Sequence, residues 1–263
     1  MTARLLAAPA ALFALFLGLP VATLIGRAVL SGSLASSGTS APVVDALGLS
    51  LLTTSASLLV TLGLGLPLAI LLARRPFPGR ALVDAIVDLP IVLPPAVAGL
   101  ALLLVFGRFG LVGAVGGIGS SIAFTTVAVV LAQTFVAAPF FIRAARAGIA
   151  GVDRDLEDAA RIDGAGELAV LRLVSLPLAW PVLAGGLVMT WARALGEFGA
   201  TIMFAGSVEG RTQTLPLLVY GEFQGGDLNG SMVGGAILAL AALGVLLAVR
   251  VFRFGRALDL RVA

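Results

Sequence analysis

The sequence predicts an all-α membrane protein, a polytopic bundle of about six transmembrane helices making one domain over residues 1–263. Three observations carry this. Of the 263 residues, 59% are hydrophobic and only 12% charged, against about 25% charged in an ordinary soluble domain. Six apolar stretches reach the roughly 20 residues that a helix needs to cross the hydrocarbon. The 17 basic residues are all Arg, and most flank those stretches. The positive balance therefore reads as membrane orientation and not as a nucleic-acid surface.

Taken in order, the stretches lie near Leu5 to Ile25, Ala46 to Ala73, Val83 to Phe106, Ile122 to Ile142, Leu176 to Ala205 and Met232 to Val251. The first follows Arg4 as a signal peptide would, but it is longer than the 7 to 15 apolar residues usual in such a leader, so an uncleaved first span is expected. Between the spans lie a Ser/Gly/Thr-rich loop (Ser31 to Pro42), a basic turn (Arg74 to Arg80), a Gly-rich connection (Gly107 to Ser121), a charged segment (Arg143 to Ser175) and a polar loop (Gly206 to Gly230). With the N-terminus inside, 13 of the 17 Arg fall on the cytoplasmic face, among them Arg74, Arg75, Arg80, Arg143, Arg146, Arg154, Arg161 and Arg172. The positive-inside rule thus predicts both termini and the charged segment in the cytoplasm.

The missing residue types narrow the chemistry. With no Lys, His or Cys, the chain has no P-loop lysine, Schiff-base lysine, His-based triad, zinc site or thiol nucleophile. No catalytic residue, no metal ligand and no cofactor is expected in this chain.

Prolines punctuate the spans: Pro90, Pro94 and Pro95 in the third, Pro139 in the fourth, Pro177 and Pro181 in the fifth. Each removes a helix hydrogen bond, which neighbouring helices or a wet cavity can offset inside a membrane. They read either as kinks that shape packing or as parts of a gate, with Pro94 and Pro95 the candidates for the latter. Arg193 and Glu197, four apart within the fifth span, have the spacing of an ion pair. Charges at that depth usually face a bundle interior or a cavity. The pair is a candidate for a pathway or gate, beside the simpler reading of a lock on helix packing.

The charged segment carries the most local information. Asp153 is placed to cap a short helix, and Asp155, Glu157 and Asp158 favour its positive end. Leu156, Ala159 and Ala160 share one face at helical spacing, where small side chains admit close approach by a partner. Gly164 and Gly166 end the helix, and a second helix from Glu167 leads through Pro177 into the fifth span. The spacing from Ala to Gly also occurs in helix-turn-helix DNA readers, but about thirty residues tied at both ends to membrane spans cannot supply the rest of such a domain.

The run Asp158-Ala159-Ala160, three residues, Gly164, nine residues, then Val174-Ser175-Leu176-Pro177 resembles the EAA loop of permease subunits in bacterial ABC importers, whose pattern is EAA-x3-G-x9-I-x-LP. Asp158 stands at the Glu position, with Glu157 just before it, and Val174 stands at the Ile position. The runs Leu93-PPAVAGLALLLVFG, Trp191-ARALGEFGATIMFAG and Gly210-RTQTLPLLVY are similar to the molybdate/sulfate-type members of that importer family, and most of all to molybdate permeases.

The resemblance implies a type I ABC importer permease fold and a channel-forming role in molybdate import, with sulfate, tungstate or another oxyanion as the alternative cargo. A secondary transporter is the more distant alternative, because such proteins usually carry intramembrane acids or His for ion coupling. By resemblance, Glu157, Asp158, Ala159, Ala160 and Gly164 form a coupling helix on a cytoplasmic loop of about 143–175 that docks in an ATPase subunit. The implied partners are a second permease copy in a homodimer, two cytoplasmic ATPase subunits that hold ATP and Mg, an extracytoplasmic oxyanion-binding protein and membrane lipid. The implied location is a bacterial or archaeal cell membrane.

Overall fold

The computed structural model describes the backbone of residues 2–112 and 122–259 and the side chains of residues 6–112 and 122–247. In chain order the helices are α1 (Thr2–Leu30), α2 (Ser33–Ser37), α3 (Ala41–Val60), α4 (Leu66–Arg74), α5 (Arg80–Val92), α6 (Pro95–Phe106) and α7 (Thr126–Ala150). They continue with α8 (Arg154–Ile162), α9 (Glu167–Val170), α10 (Leu176–Leu195), α11 (Gly199–Ala205), α12 (Leu215–Gln224) and α13 (Leu228–Asp259). All regular structure among the described residues is helical. Residues 113–121 of the expected Gly-rich connection, the Arg4 side chain, and the side chains of Arg250, Arg253 and Arg256 lie outside the described set, as does Arg261 altogether.

Among the described residues, Leu6–Leu30, Ala41–Arg74, Thr126–Ala150, Glu167–Leu195 and Leu228–Leu247 are long and apolar enough to cross a membrane. A sixth span results if α5 and α6 are counted together, although they are bent by 119°. The expected continuous third span, Val83 to Phe106, is therefore broken. Its single Pro90 is accommodated inside α5, as Pro139 and Pro181 are inside α7 and α10. The tandem Pro94-Pro95 is not. A proline pushes the residue before it out of the helical region, and Leu93 and Pro94 both turn extended, with ψ of 134° and 133°.

The expected fifth span, Leu176 to Ala205, also divides. Its helix stops at Leu195, and α11 starts afresh at Gly199. The fourth begins and ends later than expected, with Thr125 as its cap and Arg143 and Arg146 inside the helix. The backbone there continues helical past the last purely apolar residue, because Arg side chains are good helix formers.

Two π-helical turns, Thr61–Gly65 and Leu171–Ser175, join α3 to α4 and α9 to α10 into continuous rods. Each ends two residues before a proline, Pro67 or Pro177. A proline ring collides with the carbonyl one turn back, and a π turn, by inserting a residue, moves that carbonyl away without ending the helix. The local sequence thus explains both bulges.

By internal contacts the chain divides into two compact units, Met1–Ser50 with Ser207–Gly244, and Leu51–Gly206 with Val245–Ala263. In the first, Val43, Ala46, Leu215 and Leu218 form a buried cluster flanked by Leu47, Ile237 and Leu238. The Leu215 N–H, at the start of α12, donates to Ser50 Oγ at 2.7 Å. The segment Gly206 to Gly230, expected as a polar loop, therefore contains a packed helix. Its apolar stretch is too short to register as a span, and its flanks, with Arg211, Thr212 and Gln213 before and Gly225, Gly226 and Asp227 after, gave it a polar reading.

In the second unit α7 is the central element. Ala132, Gln133, Val136, Phe141, Ala145 and Ile149 are all buried along it. It meets α10 through small residues: a Cβ on Gly186 would lie 2.5 Å from that of Ala144, and one on Gly148 3.0 Å from that of Val182. Without a hydrophobic drive between helices in lipid, such close backbone approach supplies dispersion contact instead. At one end α7 is tied to α5 by charge, Arg146 to Asp84 and Arg143 to Asp88 at 3.3 Å.

Candidate functional site

Helix α8 is built to stand rigidly. Asp153 Oδ1 accepts the Asp155 N–H at 3.0 Å, satisfying one of the orphan donors of the first turn. At the other end the Ala165 N–H reaches Ala160 O and the Gly164 N–H reaches Arg161 O, both at 3.0 Å, the paired bonds of a Schellman motif. Gly164 sits at φ +91° with open space where a side chain would be. Its requirement for glycine is conformational and not one of packing.

The expected coupling residues separate into two sides of this helix. Glu157 is buried, 4% exposed. Its carboxylate accepts from Ser175 Oγ at 2.6 Å and from the Arg74 guanidinium. It ties α8 to the last residue of α4 and to the π turn before α10. Asp158 and Ala159 are exposed and Ala160 is half-buried. Leu156, Ile162 and Leu168 add apolar exposed surface around them, Ile162 at 86%.

Arg161 braces the outer side, with Nη1 2.6 Å from Asp158 Oδ1 and Nε 2.9 Å from Glu167 Oε1. Those bonds, that to Glu167 foremost, raise the Arg161 pKa above its already high ordinary value. The brace therefore keeps its positive charge at any physiological pH.

The second group of expected residues lies where the two broken spans meet. A Cβ on Gly199 would lie 2.7 Å from Pro95 Cβ, and one on Gly99 2.5 Å from Ala200 O. The break after Leu93 and the break after Leu195 are thus side by side, through the contact of α6 with α11. Arg193 and Glu197 do pair, Nη1 to Oε2 at 2.7 Å, but not on one continuous helix as expected. Gly196 caps α10, and Glu197 lies beyond it in the gap. The same carboxylate sends Oε1 to the Ala200 N–H at 2.8 Å, so Glu197 also caps α11. A pair that only bridged two turns of one helix would leave α11 free; this one links both sides of a break.

Arg74 and Ser175, which hold Glu157, and Asp84 and Asp88, which hold α5, were not singled out by sequence reasoning. A signal existed for the latter two: carboxylates four apart in a stretch read as spanning need cationic partners, and Arg143 and Arg146 are three apart on another helix. For Arg74 no local pattern marks the partner.

The family described as binding-protein-dependent transport system inner membrane component matches residues 65–263. The chain is 39% identical over 219 residues to the molybdenum transport system permease protein ModB of Escherichia coli strain K12, covering 82% of this chain and 96% of that one. It is 46% identical over 178 residues to ModB of Mycobacterium tuberculosis, covering 66% and 67%. To the molybdate/tungstate transport system permease protein WtpB of Thermococcus kodakarensis it is 38% identical over 208 residues, covering 79% and 78%.

Two solved structures share the fold. A bacterial ABC transporter that imports the acidic polysaccharide alginate superposes with a TM-score of 0.74 at 19% identity, covering 96% of this chain and 95% of that one. The MetNI methionine ABC transporter, in an inward-facing conformation, gives 0.64 at 23%, covering 80% and 94%. At such identities the likeness bears on the fold alone, which is that of a type I ABC importer permease. With its apolar helices, the match over residues 65–263 and relatives of this length and identity, the chain belongs to the inner membrane components of binding-protein-dependent ABC transport systems, as a multi-pass permease subunit.

Proposed function

We propose that this permease carries molybdate inward as one half of a homodimeric channel, joined to two cytoplasmic ATPase subunits and served by an extracytoplasmic oxyanion-binding protein. The observation that carries the reading is the 39% identity to a molybdenum permease over 96% of that protein's length. ATP and Mg are bound on the ATPase subunits, and this chain contributes no cofactor site and no catalytic group. Both termini and the segment 143–175 face the cytoplasm, in accord with the distribution of Arg.

In this reading α8 is the coupling helix. Its outer side, with Leu156, Asp158, Ala159, Ala160 and Ile162, meets a groove of the ATPase. Glu157 transmits force inward, because it is bonded to two membrane rods, at the end of one through Arg74 and within the other through Ser175. The adjacent breaks at Pro94-Pro95 and Gly196-Phe198 form the gate, since two helices joined through a break can pivot where a continuous helix cannot. The test is reconstitution of the permease with its ATPase and binding protein in liposomes. ATP hydrolysis and uptake should be stimulated by molybdate-loaded binding protein, with tungstate and sulfate compared in parallel. Stimulation by sulfate alone would reassign the cargo.

A further inference from the structure

We propose that the Arg193 guanidinium is a transit site for a tetrahedral dianion, and that Glu197 is its resident counterion, which yields the arginine to each passing anion and then recovers it. This rests on the oxyanion-import reading and goes beyond it in naming the atoms that meet the cargo.

The pair is asymmetric. The Glu197 side chain is 1% exposed, whereas that of Arg193 is 30% exposed. Glu197 is held in place from both directions: its N–H donates to Ala194 O at 3.1 Å, and its Oε1 accepts from the Ala200 N–H at 2.8 Å in a buried setting. The acid stays where it is while the arginine presents an open side.

A guanidinium has five N–H donors in a planar fork suited to oxyanions. Here one nitrogen, Nη1, is engaged at 2.7 Å, in an ion pair whose geometry falls outside that of an aligned hydrogen bond. No other partner of Arg193 occurs among the described residues. Thr190, three positions earlier and so on the same face of α10, is fully buried, with its Oγ1 unpartnered among the described residues.

A bare arginine in the last turn of a spanning helix would hold a dianion too tightly, and a conduction pathway needs sites weak enough to leave. A carboxylate against the same guanidinium cancels most of its charge. A dianion, with twice the charge, displaces it from the fork, and because Glu197 remains tied to α11 it is in position to reclaim the arginine and expel the anion. The arrangement favours passage over capture.

The experiment uses the purified permease–ATPase complex without binding protein, probed with radiolabelled molybdate and sulfate in rapid filtration. The chain has no cysteine, which permits a second arm. Glu197→Gln keeps an oxygen for the Ala200 N–H and so keeps the α11 cap. It should raise anion retention at least tenfold and slow release, and adding Arg193→Gln should abolish the gain. In the second arm, on the complex reconstituted in liposomes with its binding protein, Arg193→Cys treated with a cationic methanethiosulfonate should regain part of the lost uptake, whereas an anionic reagent should not restore it. Unchanged retention in Glu197→Gln, or a gain that persists in the double variant, overturns the site. Should Glu197→Gln not assemble, the cysteine arm decides, and equal uptake after either reagent overturns the proposal. Failure of the underlying reading looks different: hydrolysis by the unmodified complex would respond to no oxyanion-loaded binding protein, and site and cargo would fall together. An oxyanion-responsive complex with unchanged Glu197→Gln retention removes the site alone.

Discussion

Arg74, the last residue of α4, is ion-paired with Glu157 of α8, 83 positions later, and the two side chains are 17% and 6% exposed. The pair anchors a surface helix to a membrane rod. Removing one partner of a buried pair leaves the other charge without compensation, at a cost of about 3–5 kcal/mol. Arg74 retains some contact with water, which places this case at the lower end.

Glu157→Ala should therefore leave the permease inserted but free α8 from its support. The measurement is limited proteolysis between residues 150 and 167, together with ATPase co-purification. Faster cleavage and weaker association are expected, whereas Asp158→Ala, on the exposed side, should leave the protease resistance nearly unchanged. Equal protease resistance in Glu157→Ala and the parent chain would show that the pair is not what holds the helix.

Gly164 tests conformation apart from packing. At φ +91° with nothing within 4 Å of an added Cβ, a β-branched residue is strained by about 1–2 kcal/mol, whereas Asn enters this region more readily. Gly164→Val should weaken ATPase association and Gly164→Asn should largely preserve it. Ala160→Trp should also weaken association, by bulk. Normal association and normal substrate-stimulated hydrolysis in both Gly164→Val and Ala160→Trp would leave this segment as a plain connection.

The contact between the two breaks predicts a reversal of the usual glycine rule. Within a helix, Gly→Ala ordinarily stabilises by about 0.5–1 kcal/mol. At Gly99 the new Cβ would lie 2.5 Å from Ala200 O and 2.8 Å from Met203 Cβ, so overpacking of about 1–3 kcal/mol outweighs that gain. Gly99→Ala should lower the thermal midpoint in detergent and reduce uptake. Gly185→Ala in α10, where nothing lies within 4 Å, should do neither. A Gly99→Ala permease as stable and active as Gly185→Ala would mean that α6 and α11 are not held this close.

Orientation is testable because the sequence supplies a cysteine-free background. Single cysteines at Ser37 and Gly225, both exposed, should react with an impermeant thiol reagent in sealed cells. One at Arg154, also exposed, should react only after permeabilisation. Labelling at position 154 in sealed cells would reverse the proposed topology.

The sequence by itself determined what depends on neighbours along the chain. Apolar length set the membrane class, Asp153 and Gly164 fixed the two ends of α8, and the spacing of Arg193 and Glu197 marked an ion pair. Each rests on interactions within one or two turns, so a local pattern suffices. The tertiary structure decided what depends on residues far apart. Nothing local says that Glu157 turns inward and Asp158 outward; Arg74 and Ser175 decide it, because a buried carboxylate is tolerated only where donors converge on it. Nor does a count of apolar residues reveal that the third and fifth spans are broken. The tandem proline opens one and Gly196 caps the helix before the other, but their adjacency follows from Gly99 and Gly199, whose missing side chains allow α6 and α11 to touch.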